Sequence, residues 1–196
     1  MPEKAATTTG LTYTTRRGDK YFLHTGPKRD GGVQHFVSTK PKGPMAESVP
    51  DGFEIYETPN GRVFLRRKKL SPISDAELLC VRRELAGYRG QNSYQSELTG
   101  MHIIIHEAEW RENSWEELGR FLPNIDHLAI ARSLENFMPV MRFVLQDEVQ
   151  RLFRPERYCF RGSVDDWIGI GEADMIEPLT RKFIPHLGRE SFYELY

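Results

Sequence analysis

Between Lys20 and Lys69 the chain reads KYFLHTGPKRDGGVQHFVSTKPKGPMAESVPDGFEIYETPNGRVFLRRKK, a stretch that leaves its backbone little choice. Short β-branched and aromatic runs are separated by turn chemistry at Gly26–Gly32, Pro50-Asp51-Gly52 and Thr58-Pro59-Asn60-Gly61. Glycine and asparagine supply the positive φ that a tight reversal needs, so Asn-Gly between two alternating runs is a strong hairpin signal. The spacing predicts strands over Tyr21–Thr25, Val33–Ser38, Phe53–Glu57 and Arg62–Arg67, as a four-stranded meander with a short edge strand at Leu11–Thr15.

Successive strand residues point to opposite faces. One face therefore collects Tyr21, Leu23, Thr25, Phe53, Ile55, Val63 and Leu65, and the other carries Arg62, Phe64 and Arg66. A small sheet with one apolar face needs a cover. The next segment, Ile73–Gly87, has the marks of a helix. Ser74 and Glu77 form a capping box, Ile73 can staple onto Leu78, and Leu78, Val81 and Leu85 share a stripe that ends at a C′ glycine, Gly87. The expectation is that this stripe covers the meander.

Downstream, Tyr94–Leu98 and Met101–Glu107 read as a second hairpin around Thr99-Gly100, with HIIIH the most strand-like run in the chain. Capped helical patterns follow at Trp115–Phe121 and His127–Phe137. Met138–Gln146 and Val149–Phe160 then form a strand pair in which Pro155 calls for an edge, a bulge or a break. A loop around Val164–Trp167 leads to a helix over Ala173–Ile184, where Pro178 predicts a kink or a late start. Arg189–Tyr196 adds a last helical turn or two, with Phe192 and Leu195 inward. Met45–Ser48 is at most one helical turn. The fold class is α+β, an antiparallel β-meander and hairpins covered by helices. Residues 1–9 form a flexible tail, and two small units at about 10–110 and 111–196 pack together through helices.

Composition matters where partners are at issue. The 196 residues are 39% hydrophobic, with a mean hydropathy of -0.55, enough for a core. No apolar run approaches the roughly 18 residues that span a bilayer. The opening MPEKAATTTG lacks a secretory pattern, and Cys80 and Cys159 form no C-x-x-C. These features point to a reduced, cytoplasmic protein with no membrane partner. The net charge of -1 hides an asymmetry: residues 1–70 hold 13 Lys and Arg against 7 Asp and Glu, while residues 71–196 hold 14 against 21. A basic front and an acidic back fit a polyanion-binding face, two halves that dock on each other, or solvated faces that merely differ.

Few residues carry chemistry. His102 and His106 have helical metal-ligand spacing, but three isoleucines between them favour a strand, on which four residues span roughly 13 Å. Asp165 and Asp166, with Glu172 and Asp174 close behind, are paired acids that could hold magnesium or work as acid and base. Against that, an Asp in a Ser-x-Asp loop commonly caps backbone N–H groups. The place for an active site, if there is one, is this loop beside Arg157, Arg161 and Trp167. Neither cysteine shows activation. Gly169-Ile170-Gly171 lacks the third glycine of a dinucleotide motif, and no nucleophile elbow, P-loop or zinc-protease motif is present, so no cofactor and no metal are expected.

Basic residues interleaved with aromatics remain. Arg62, Phe64, Arg66, Arg67, Lys68 and Lys69 load one hairpin arm and its exit, and Arg142, Arg151, Arg154, Arg157 and Arg161 load the C-terminal pair. Such surfaces hold single-stranded nucleic acid through phosphates and stacking. Arginine equally pairs with carboxylates at protein interfaces, and a pI near 6.6 is low for a nucleic-acid binder.

The stretches YFLHTGP…FEIYETPNGRVFLRR, RYCFRGSVDDW and HLGRESFYEL resemble a group of uncharacterised bacterial proteins, a likeness that covers most of the chain. The resemblance implies a bacterial, intracellular origin and brings no activity, ligand or catalytic residue. The leading expectation is a non-enzymatic adaptor whose partner is another protein. The alternative is a nucleic-acid-binding module using the basic meander, and the third is a metal-dependent hydrolase at Asp165 and Asp166.

Overall fold

A computed structural model of the chain describes residues 10–89, 93–109, 136–161 and 164–195. The architecture is α+β, as expected. It divides into two compact units, residues 1–68 and 69–196. A division near residue 110 would separate the strands His102–Glu109 and Asn136–Asp147, which pair over eight positions in one sheet. The tail and the helical patterns at 115–121 and 127–135 lie outside the described residues; Asn136 and Phe137 open a strand.

In the first unit β1 (Thr12–Thr14), β2 (Lys20–Pro27) and β3 (Val33–Ser38) form a three-stranded antiparallel sheet in that order. The Asn60-Gly61 reversal does build a hairpin, from β4 (Phe53–Glu57) and β5 (Val63–Arg67), with Gly61 at φ +74°. The four strands are nevertheless not one meander. After β3 the chain crosses to the far edge of β2. There the Ala46 N–H donates to the Leu23 carbonyl at 2.9 Å and the Thr25 N–H to that of Pro44 at 3.1 Å. Met45, expected in a helical turn, instead bridges His24. The connector thus fills the ladder that β1 leaves short, and β4 does not continue from β3.

Glu57 joins the hairpin to the sheet. Its carboxylate accepts from the Tyr13 hydroxyl at 2.8 Å and from Arg16 Nε at 2.9 Å. The same guanidinium donates to the Thr58 and Pro59 carbonyls in the turn. Among the described residues of this unit the buried apolar ones are few: Leu23, Ala46 and Val63.

The second unit is a five-stranded antiparallel sheet in the order β10-β9-β8-β7-β6. Its strands are β6 (Tyr94–Thr99), β7 (His102–Glu109), β8 (Asn136–Asp147), β9 (Leu152–Arg161) and β10 (Val164–Gly169). Helix α1 (Asp75–Gly87) starts at the expected capping box, with Ser74 and Glu77 exchanging bonds. Gly87 closes the helix without a positive φ, and the cap is extended Tyr88. The apolar stripe of α1 is used within its own unit. Ile73, Leu78 and Val81 enter one core with Ile103, Ile105, Met141, Phe143 and Phe153 of the large sheet. Helix α2 (Ile176–Phe183) joins that core through Leu179 and Phe183; its start at Ile176 places Pro178 in the first turn, where no helical N–H is lost. Phe192, in a 3-10 turn over Glu190–Glu194, is buried as expected.

Two prolines sit in the sheet interior, and each has a reason. Between Ile105 and His106 the β7–β8 register shifts, so the ladder is already interrupted beside Pro139. Pro155 is neither on an edge strand nor at a break. Its carbonyl accepts the Ile170 N–H at 3.0 Å, so the missing N–H also faces the end of β10 and the β8–β9 ladder loses no bond.

Candidate functional site

Cross-strand pairing sorts the basic hairpin. Tyr56 lies opposite Phe64 and Glu54 opposite Arg66, so these four share one face, while Val63, Leu65 and Arg67 share the other. The Arg66 guanidinium carbon stands 3.4 Å from the Tyr56 ring centroid, and its Nε donates to Glu54 at 2.9 Å. The ring and the carboxylate together fix this side chain. Phe64 beside it is 48% exposed. Arg62 caps the turn through its backbone, donating to Thr58 Oγ1 at 3.1 Å. Arg67 lies 5.8 Å from the Phe53 ring, on the face opposite Arg66. The Lys68 N–H closes the hairpin base on Gly52 at 2.8 Å, and Lys69 is exposed at the start of the second unit.

The second predicted cluster lies on the paired strands β9 and β10. Asp165 and Asp166 occupy consecutive positions in β10, opposite Phe160 and Cys159, rather than a loop. Asp166 Oδ1 accepts the N–H of Trp167 at 2.7 Å, a local backbone role. Arg157 lies opposite Ile168, and Trp167 opposite Tyr158, so the arginine and the tryptophan are on different faces. Arg157 is buried on the helix side, where Nη1 donates to the Phe192 carbonyl at 2.9 Å and holds the C-terminal turn. Arg161 ends β9.

Sequence reasoning missed the polar face of the large sheet. Glu97, Ile104, Arg142, Glu156 and Gly169 form one row across all five strands. Arg142 pairs with Glu156 at 2.6 Å and stands 4.4 Å from the Trp167 ring, which packs edge-on against Tyr158. His106 Nε2 lies 3.1 Å from Glu97, and His106 Nδ1 is buried without a hydrogen-bond partner. Arg142 and Glu156 neutralise each other across the strands, so the arginine of this row is already paired within the sheet. His102 and His106 lie on a strand, as their isoleucines require, and among the described residues no three His, Cys, Asp or Glu side chains gather to hold a metal. No described helix is long and apolar enough to cross a membrane.

No family model, no curated protein and no solved structure matches this chain.

Proposed function

We propose that the chain is a binding module that engages an acidic surface of another protein through the β4–β5 hairpin. The observation that supports this reading is the pairing of half-exposed Phe64 with an arginine already fixed on Tyr56 and Glu54. An aromatic anchor beside an ordered arginine is the composition of a binding hot spot, and prior ordering lowers the entropy lost on association. The excess of basic residues in the first unit, 12 Lys and Arg against 7 Asp and Glu over residues 1–68, favours an acidic partner. Both cysteines are free, which fits a reducing cytoplasm.

The same basic arm supports a nucleic-acid reading less well, because Arg66 already has a carboxylate and a ring as neighbours. Pull-down from the native host, with and without nuclease, separates the two. The expected result is a stoichiometric protein that survives nuclease and binds Phe64→Ala about 30-fold more weakly. Recovery of nucleic acid alone, with affinity falling steeply as salt rises and with Arg66→Ala and Lys68→Ala weakening every sequence alike, overturns the reading.

A further inference from the structure

The Gly169-Ile170-Gly171 segment, too short for a dinucleotide motif, has another use. It borders a cleft of about 360 Å³ in the second unit, walled on the other side by α2. Each glycine has a steric reason to be there. A Cβ at position 169 would stand 2.7 Å from Arg154 Nη2, and one at 171 would stand 2.7 Å from Phe183 Cζ. Gly169 therefore lets the Arg154 guanidinium lie against bare backbone at the end of β10. Gly171 lets the Phe183 ring close up behind the loop.

Charges of both signs line this cleft, Arg154 and Lys182 on one hand and Glu172 and Asp174 on the other. Among the described residues, none of the four is in an ion pair. Asp174 is partly engaged, since its Oδ1 accepts the Met175 N–H at 2.7 Å. Glu172 is not. The cations come from β9 and α2 and the acids from the loop between β10 and α2. Pro178, Leu179 and Ala173 add an apolar wall.

We propose that this cleft binds a small zwitterion, a molecule with a carboxylate and an ammonium group such as a free amino acid or a dipeptide. Its carboxylate sits on Arg154 and Lys182, where a guanidinium offers paired donors. Its ammonium sits on Glu172. A phosphate dianion fits less well, because Glu172 and Asp174 share the wall and repel it, and a bare metal cation meets two positive side chains. The volume lies at the small end of the roughly 300–1,000 Å³ typical of small-molecule sites.

The test is a titration of the ¹⁵N-labelled full chain with diglycine, N-acetylglycine and glycinamide, following the amide resonances of Gly171, Ala173 and Lys182. Diglycine should saturate these shifts, and the two blocked compounds, each lacking one charge, should bind at least about tenfold more weakly. Arg154→Gln and Glu172→Gln should each weaken diglycine about tenfold with unchanged melting. Gly169→Ala should also weaken it, since the methyl displaces the guanidinium without removing it. No response to diglycine at about 50 mM overturns the proposal. Equal binding of N-acetylglycine, which makes the cleft a plain anion site, overturns it as well.

Discussion

In the first unit Glu57 takes Tyr13 and Arg16; in the second, Glu77 takes Arg151 while serving the Ser74 capping box. Both carboxylates are largely buried. Burial pushes the Glu57 carboxyl up, but the hydrogen bonds from Arg16 and Tyr13 outweigh it and leave it below the usual range. Glu77 follows the same logic, with burial opposed and overcome by Arg151 and Ser74. What differs is the surroundings. Among the described residues, Glu77 borders a continuous core of 16 buried residues, whereas the first unit buries Leu23, Ala46 and Val63. A polar clasp is an accessory where the core is large. Where the core is small, it is a principal fastener.

That contrast can be broken in order of effect. Phe143, fully buried in the large sheet, should cost about 3–5 kcal/mol when cut to alanine. Peptide-resolved hydrogen exchange should place the loss in residues 69–196 and leave 10–68 as they were. Loss of protection spread evenly over both units would defeat the comparison.

Glu57→Gln should cost about 1–3 kcal/mol, by leaving the Tyr13 hydroxyl and Arg16 without their ionised acceptor. Exchange should rise across residues 10–68, and a change confined to the 58–61 turn would show that the clasp is local. Acid should act in the same direction. Both carboxylates bind protons less readily folded than unfolded, so their stabilisation is complete above the ordinary carboxylate range and disappears as pH falls through the depressed folded values. The first unit should lose protection at a higher pH than the second; the reverse order would contradict the assignment of its principal fastener.

The smallest effect concerns Arg151, which has φ +57° in the β8–β9 turn and is the only non-glycine with positive φ among the described residues. Its guanidinium bonds both oxygens of Glu77 and the Pro72 carbonyl. Arg151→Ala and Arg151→Gly both lose those bonds, but only glycine relieves the backbone. The glycine variant should therefore be the more stable of the two by about 1 kcal/mol. Equal melting would mean the turn relaxes without cost.

How much could be read in advance depended on the range of the signal. The β4–β5 hairpin and the Ser74 capping box were legible because each is decided within about four residues. The partner of α1 was not. Its stripe shows that an apolar surface is needed, and both the meander and the HIIIH hairpin offered one. Asp165 and Asp166 look like loop residues by propensity, yet pairing with β9 makes them a strand, a tertiary override of a weak local preference. The row from Glu97 to Glu156 depends on register across β6 to β9 and on the shift at His106, and no local pattern shows that. Of the candidate residues, Phe64 and Arg66 came together as their alternation required. Arg157 did not join Trp167, because an odd spacing along two paired strands sends them to opposite faces.

The clasp between Glu77 and Arg151 spans 74 positions along the chain. A contact of that separation can form only after the helix start and the β8–β9 turn have been brought together, late in assembly. Its weight should therefore fall on the escape rate of the folded second unit rather than on the rate at which it is reached. Through this one arginine, in a conformation that glycine would adopt more easily, the unit gains persistence in time.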